Sequence, residues 1–502
     1  MPQDRFIWET TRSLNRIAEL TNEALLKDIP KEHLALFRTI GEIAESAGQQ
    51  VYVVGGYVRD FYLGRLDKEG GGVTDIDFVT IGSGVQLAQS VARKLGSDHI
   101  SVFKQFGTAQ IRYDGLELEF VGARKENYRK SSRKPIVEDG TLEDDQLRRD
   151  LTINALSWSL NPDTFGLLHD PFGGVQDLAA KRIRTPVDPA QTFDDDPLRM
   201  LRAIRFATQL DFTIEEKTWE AISEMAPRLK IISKERIIDE INKIVMAPKP
   251  STGFGMLLHT GLLDQFLPEM TALQGVEEVD GIRHKDNFWH TLKVLDNVAV
   301  MSDDLWLRWA AIFHDIAKPP TRRFVKGIGW TFHGHDAIGA KWVPRLFRRL
   351  GLPMDERMRR VRNLVRLHLR PIALASEEVS DSAVRRLIYE AGDEIDDLMT
   401  LCRADITSKN RATVRKYLKN FDYVEGMIAE VEEKDRIRNW KNPLDGSEIM
   451  EALKLKPGPM IGQIKDDIKE AILEGEIPND RDAAFDYMME RKKLYLEKKG
   501  EK

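Results

Sequence analysis

The sequence predicts an α+β protein with a small mixed-sheet head and an all-helical body. Two observations carry this. Short β-branched or alternating runs occur only before about residue 150. Beyond that point apolar residues recur at the three- and four-residue spacing of amphipathic helices. At 502 residues the chain is also too long for one core, and a norm of about 150 residues per domain gives three or four units.

In chain order, Leu34, Leu36, Phe37, Ile40 and Ile43 share helical spacing, so residues 1–50 read as helices. Gln50–Val54 is short and β-branched, hence a strand. Tyr57–Leu63 reads as a helix entered directly from the Gly55-Gly56 turn. Glu69-Gly70-Gly71-Gly72 is a loop before the strand that carries Asp75 and Asp77. Val85–Leu95 is a helix, and Thr108–Tyr113 with Leu116–Val121 form a hairpin about Asp114-Gly115. Pro197–Thr208, Glu215–Met225 and Lys234–Val245 are amphipathic helices. A region near 283–410 collects most of the ten histidines. The tail from about 411 is helical and broken at Pro457-Gly458-Pro459.

Composition bounds the function. With 42% hydrophobic and 31% charged residues, the chain should fold as a soluble globular protein. No apolar run approaches the ~20 residues of a membrane span, and Met1-Pro2-Gln3-Asp4-Arg5 lacks a signal-peptide pattern. One cysteine, Cys402, excludes an internal disulfide and fits a reducing cytoplasm. A net charge of −6 argues against a protein coated in nucleic acid. Local basic runs stand out instead: Arg124, Lys125, Arg129, Lys130, Arg133 and Lys134, and then Arg357, Arg359, Arg360, Arg362, Arg366 and Arg370. Either run could hold RNA phosphate or be a solvated face.

The chemistry begins at Asp75-Ile76-Asp77. Strand residues i and i+2 point the same way, so both carboxylates face one point where magnesium could bind. Such a pair suits attack on an α-phosphorus with pyrophosphate leaving. Glu119 is a candidate third carboxylate if its strand lies alongside, and Glu117 competes for the role. Gly55 and Gly56 let the backbone approach a triphosphate, and Arg59 can reach it from the first turns of the helix. Asp196 and Arg199 are i, i+3 neighbours on one helical face. A carboxylate accepts hydrogen bonds and a guanidinium donates them. Such a pair matches the amino-donor and ring-acceptor edge of cytosine and adenine and rejects uracil and guanine.

These motifs combine with Arg148-Arg149-Asp150-Leu151-Thr152-Ile153-Asn154-Ala155, with the Asp195–Phe206 segment and with Glu235–Ile244. Over roughly residues 30–270 the chain resembles the bacterial class II tRNA nucleotidyltransferases, the CCA-adding enzymes, and their poly(A) polymerase relatives. The resemblance implies a polymerase-beta-like head with Mg²⁺ held by the catalytic Asp75 and Asp77, and base choice by Asp196 and Arg199. It also implies nucleotide contacts from Gly55, Gly56, Arg59, Arg149, Asp150, Asn154 and Arg202. Arg124–Pro135 matches the loop that helps the pocket change from C to A, which favours complete C-C-A addition. The chain departs from the family pattern at Gly122-Ala123-Arg124, where Thr-Phe-Arg is usual, and at Asp195, where Glu is usual. Neither change removes a charge the chemistry needs.

The histidine region resembles HD-type phosphohydrolases. The resemblance assigns the core ligands of a divalent metal (Mg²⁺, Mn²⁺ or a transition metal) to His290, His314, Asp315 and Asp405, with His335 and His368 at the extra positions of a second metal. His99, His169, His259 and His284 lack such a context. Asn442–Gly446 and Gly458–Gly462 resemble the family's helical tail.

The expected organisation is an N-terminal helical extension (1–30), a nucleotidyltransferase head (31–165), a helical base-recognition and RNA-binding domain (166–275), an HD domain (276–415) and a helical tRNA-binding tail (416–502). The expected function is addition of C, C and A to the tRNA 3′ end from CTP and ATP, with the acceptor arm as partner, in the cytoplasm and away from membranes. The HD domain is a phosphatase or phosphodiesterase candidate. The alternatives are a bacterial poly(A) polymerase or a partial CC- or A-adding enzyme. A reading of another class is an HD phosphohydrolase whose head only binds RNA. Oligomeric state is not legible.

Overall fold

The computed structural model describes residues 27–66, 75–103, 107–129, 132–374, 380–407, 410–435, 437–438 and 440–500. Most of the 1–30 extension and the Glu69–Gly72 loop lie outside the described residues. The chain divides into two compact units, Met1–Ile241 with Gly255–Gln265, and Asn242–Phe254 with Phe266–Lys502.

The first unit opens with helix α1 (Lys31–Ser46), which buries Leu36, Phe37, Ile40 and Ala44 on one stripe. A seven-stranded mixed sheet follows. Its strands are β1 (Gln50–Val54), β2 (Asp75–Ile81), β3 (Ile100–Phe103), β4 (Thr108–Tyr113) and β5 (Leu116–Gly122). A separate hairpin of β6 (Arg124–Arg129) and β7 (Ser132–Asp139) precedes the last two sheet strands, β8 (Ser157–Ser159) and β9 (Leu168–His169). The sheet order is β3-β4-β5-β2-β1-β8-β9. Helices α2 (Gly56–Tyr62) and α3 (Gly84–Leu95) are the expected ones, the latter capped by Ser83. Asp114 and Gly115 both take positive φ, as a two-residue hairpin turn requires.

Alternation explains which side of the sheet is chemical. Ile76, Phe78, Leu118 and Phe120 are fully buried. Phe78 stacks on Phe120 at 4.8 Å and meets Phe37 of α1 edge-on at 5.9 Å. Asp75 and Asp77, one residue out of phase, take the opposite face and stay exposed. Moving β2 by one residue would bury both carboxylates, so the apolar stripe holds them in place. α1 is held just as tightly: a Cβ on Gly41 would lie 1.9 Å from the Leu160 carbonyl oxygen.

Three expectations need correction. Strands do not end near residue 150, because β8 and β9 complete the sheet beside β1. Each is only two or three residues long, too short to show a period. β3 was also missed. Finally, the segment expected as a flexible loop runs as the paired hairpin β6–β7, with one irregularity between Asn127 and Arg129.

After α4 (Leu142–Leu147), the unit continues with α5 (Leu198–Leu210) and the part of α6 (Lys234–Val245) up to Ile241. α5 buries ten of its 13 residues, which anchors the base-choice segment at its N-terminus.

The second unit is helical: α7 (Asn287–Met301), α8 (Leu305–Phe313), α9 (His335–Leu350), α10 (Glu356–Leu367) and α11 (Ile395–Asp405) surround the histidines. α8 is buried almost throughout from Leu307, including Arg308. The Arg308 guanidinium donates to the carbonyls of Val245, Ala247, Ala299 and Ser302, satisfying helix ends that would otherwise be orphaned. The basic run on and just after α10 is mostly spent on structure. Arg357 pairs with Asp355, Arg360 with Asp304 and Asp397, and Arg366 and Arg370 with Glu390. RNA contact by this run as a block is therefore not supported. Among the described residues no helix is long and apolar enough to cross a membrane.

Candidate functional site

In the head, β2 and β5 run parallel, with Asp75 opposite Glu117 and Asp77 opposite Glu119. The two glutamates differ in their partners. Glu117 is taken by Arg112 (2.9 Å) and Gln110 (2.9 Å). Glu119 lies across from Asp77 with its pKa held above the ordinary carboxylate value, first by burial and then by the charges of Asp77 and Asp75. Asp77 is raised likewise, by the protein around it and by Asp75 and Asp145, against the pull of Arg149. Asp75, Asp77 and Glu119 thus offer mutually repelling carboxylates on neighbouring strands, a donor type that suits divalent cations of the magnesium type.

The cavity beside them has a volume of about 490 Å³. It is lined by Gly55, Gly56, Arg59, Asp77, Arg149, Asp150, Asn154, Asp196, Arg199 and Arg202. Nine of these are expected nucleotide-contacting residues, drawn from three separate chain segments. Gly55 has φ +71°, and a Cβ there would press on the Arg149 guanidinium at 3.0 Å. A Cβ on Gly56 would meet only ordinary contact, at 3.8 Å, so Gly55 alone is sterically required.

Sequence reading missed Asp145, which organises the arginines. Its fully buried carboxylate holds Arg148 at 2.6 Å and Arg149 at 2.9 Å. Burial alone would raise its pKa, but Arg149 and Arg148 hold it below the ordinary value. Arg149 also donates to the Asn154 carbonyl, and Arg59 to the Asn154 side chain at 2.8 Å. Asp150 accepts from Asn154 and from Arg202.

A pH signature follows. A carboxylate with a lowered folded pKa contributes stability above its unfolded pKa and loses it as pH falls through the folded value. Asp145→Asn is expected to cost on the order of 3 kcal/mol at pH 7. Its gap from the parent protein closes as pH falls below about 4. Urea unfolding of both proteins at pH 7 and in acid measures this. A gap independent of pH would refute it.

Asp196 and Arg199 line the same cavity, and each side chain is engaged by partners other than its counterpart. Asp196 accepts from the Leu198 N–H at 3.1 Å and pairs through its other oxygen with Arg236 at 2.7 Å. Arg199 donates to the main-chain carbonyls of Thr192 and Arg148. Pro197 precedes the first residue of α5 rather than occupying it, and Asp195 ends the preceding helix. Arg148, Leu198, Phe206 and Arg236 also line the cavity and were not singled out. Arg236 was visible only as part of the Glu235–Ile244 motif.

In the second unit the six expected residues converge. His290 Nε2 lies 2.9 Å from Asp405 and 3.4 Å from Asp315. His314 Nε2 lies 3.2 Å from Asp315, as does that of His335, and His368 is 3.9 Å away. One Asp315 oxygen faces His290 and His314 and the other faces His335 and His368, as in a bridging carboxylate. Two candidate metal-holding groups therefore share Asp315. His314, His335 and His368 place Nδ1 at 2.7 Å from the carbonyls of Ala311, Phe332 and Val365, and His290 Nδ1 meets Thr407 at 2.9 Å. Donation from Nδ1 to these carbonyls leaves a lone pair on each Nε2 facing the carboxylates. The His314 Nε2 is buried without a hydrogen-bond partner. This donor set fits divalent metal. Lys318, absent from the sequence reading, donates to Asp315 at 2.6 Å. His284, passed over in the sequence, lines the cavity of about 560 Å³ in front of the cluster, with Trp330, Phe332 and Tyr417.

Known families match segments from residue 51 to residue 488. The Poly A polymerase head domain family matches residues 51–184, the probable RNA- and SrmB-binding site of polymerase A 211–274, the HD domain 287–410, and the putative tRNA nucleotidyltransferase domain 2 382–488. An A-adding tRNA nucleotidyltransferase of Deinococcus radiodurans is 33% identical over 68% of this chain and 78% of its own. A CC-adding tRNA nucleotidyltransferase of Thermus thermophilus is 30% identical over 87% of this chain and 92% of its own. The chain belongs to the tRNA nucleotidyltransferase family. Among solved structures, a CCA-adding enzyme with ATP superposes with a TM-score of 0.63 at 22% identity, covering 93% of this chain and 98% of that one. The Bacillus stearothermophilus CCA-adding enzyme with CTP gives 0.65 at 22% identity, covering 92% and 98%. These likenesses show the tRNA nucleotidyltransferase fold. Heads of this family and HD domains are metal-dependent.

Proposed function

We propose that this chain adds C, C and A to the 3′ end of tRNA without a template, using CTP and ATP and releasing pyrophosphate. One observation carries the reading: Asp77 and the acid–guanidinium pair Asp196 and Arg199, 119 residues apart from Asp77 to Asp196 in sequence, line one cavity of nucleotide size.

Asp75, Asp77 and Glu119 would hold Mg²⁺, which when bound favours attack by the tRNA 3′ hydroxyl on the α-phosphorus and neutralises the departing pyrophosphate. Arg59 and Arg149 supply fixed positive charge along the triphosphate beside Gly55 and Gly56. Asp150 and Asn154 hold these arginines and Arg202 in place. Asp196 accepts from the exocyclic amino group of cytosine or adenine while Arg199 donates to the adjacent ring nitrogen. Uracil and guanine would set carbonyl against carboxylate. In this reading residues 31–165 form the catalytic head, 166–275 select the base and meet RNA, 276–415 form the HD domain and 416–502 grip tRNA. The acceptor arm is held through phosphate and shape, because an A-form helix hides its base edges. A lone buried cysteine fits a cytoplasmic setting.

The test is incorporation into tRNA lacking its 3′ end, with CTP and ATP singly and together. Ordered addition of two C and one A is expected. Long tails from ATP alone would mark a poly(A) polymerase, and C-C only or A onto C-C only would mark a partial enzyme of the kinds named among its relatives. No incorporation, with phosphatase activity retained, would leave an HD phosphohydrolase with an RNA-binding head.

The histidine site we read as a phosphatase or phosphodiesterase, carried by Asp315 facing four imidazoles. Its bound metal would supply a nucleophile at neutral pH. Asp315→Asn is expected to release the metal and lower hydrolysis of p-nitrophenyl phosphate by at least about a hundredfold. Metal content and turnover with Mn²⁺, Mg²⁺ or Ni²⁺ check both. Full metal occupancy in the variant would refute the assignment.

A further inference from the structure

We propose that Phe206 is a positioning residue for nucleotide binding, its ring holding the arginines of the triphosphate wall and of the base-choice helix in one fixed array. The inference rests on the reading of the head cavity given above.

Phe206 lines that cavity and is 7% exposed. Three guanidinium carbons lie close to its ring centroid: Arg205 at 4.1 Å, Arg59 at 4.9 Å and Arg202 at 5.6 Å. Among the described residues every other ring in such a contact takes a single cation. The three arginines come from two elements. Arg59 stands on α2, directly after the Gly55-Gly56 turn, whereas Arg202 and Arg205 stand on α5 with Phe206 itself.

Three like charges do not gather without compensation. Their edges are held by carboxylates: Arg59 by Asp60 at 2.8 Å, Arg202 by Asp150 at 2.6 Å and Arg205 by Glu240 at 2.9 Å. Burial holds the Arg205 pKa below its ordinary value, with Arg202 and Arg59 acting in the same direction against Glu240. The negative face of an aromatic ring adds attraction that an aliphatic side chain of similar bulk lacks. Filling this space with leucine would keep much of the packing and remove that face. Arg59 and Arg202 would then keep their carboxylate partners but lose the contact that fixes the planes of their guanidinium groups at the cavity wall. A phosphate ligand meets the array before any chemistry, so the effect belongs to binding.

The test compares Phe206→Leu and Phe206→Tyr with the parent protein. Phe206→Leu is expected to raise KM for CTP and for ATP together by about tenfold, the scale of one desolvated cation–aromatic contact, with kcat within about twofold. Inorganic pyrophosphate should bind the variant more weakly by a similar factor in calorimetry. Phe206→Tyr, which keeps the ring face, should restore both. A purely structural role would lower the melting temperature and the active fraction while leaving KM unchanged. An unchanged KM in folded Phe206→Leu, or a Phe206→Tyr variant as impaired as Phe206→Leu, would overturn the inference. If the parent protein incorporates neither nucleotide, the functional reading falls instead. Pyrophosphate binding then still decides for or against Phe206.

Discussion

Asp77→Asn is expected to lower nucleotide incorporation by about 10³-fold or more while leaving the fold intact. The carboxylate lines the cavity, opposite Glu119 and two residues from Asp75. Its removal takes an oxygen donor from the middle of the set that would hold Mg²⁺. The same geometry makes the charge a burden on the folded protein. Its pKa is raised, first by burial, so the ionised form is disfavoured on folding. A carboxyl with a raised folded pKa binds more protons in the native state than in the unfolded one. Its contribution to stability therefore falls as pH rises through that range. The neutral variant should accordingly be as stable as the parent at pH 7, or more so. Incorporation assays and thermal unfolding on one preparation separate the two effects. An active Asp77→Asn protein would end the metal assignment. An inactive but unfolded one would mean that the residue is structural.

The second large effect concerns base choice. Asp196→Ala and Arg199→Ala are each expected to cut kcat/KM for CTP by about 10²–10³-fold, because a buried hydrogen-bonding edge of the base is left unpaired. Discrimination against UTP should collapse in Asp196→Ala, since the carboxylate that repels the uracil carbonyl is gone. The structure adds a detail to this expectation. Asp196 is engaged by Arg236 and by the Leu198 N–H, and Arg199 by two main-chain carbonyls. Both groups are thus held in place before a base arrives, which lowers the ordering cost of binding. Steady-state kinetics with the four ribonucleoside triphosphates measure the outcome. Unchanged CTP/UTP discrimination in both variants would exclude base reading by this pair.

The parts of each site that lie close together in the chain could be read without coordinates. Asp75 and Asp77 share a strand face because side chains alternate, and His314-Asp315 occupy consecutive positions at the end of α8. Lys318, one helical turn beyond Asp315, carried the same kind of local signal and was overlooked. The two short strands β8 and β9 offered no signal, because two or three residues show neither alternation nor propensity. Asp145 looked like one acid among several in Glu143-Asp144-Asp145, and only its burial between Arg148 and Arg149 marks it out. The arginines of α10 looked like a phosphate-binding run until Asp304, Asp355, Glu390 and Asp397 were placed beside them.

Local periodicity and covalent spacing determined the α+β class, the paired aspartates and the acid–guanidinium turn, because each depends on neighbours within one strand or one helical turn, whereas the membership of the histidine cluster came from a family resemblance spread over His290 to Asp405. Tertiary packing decided that Glu119 rather than Glu117 stands beside Asp77, that Asp196 is held by Arg236, and that Phe206 gathers three arginines. Those outcomes depend on strand register and on which distant segments share a cavity. Such contacts are set by burial of whole faces, summed over many residues, and no short window of sequence contains that sum.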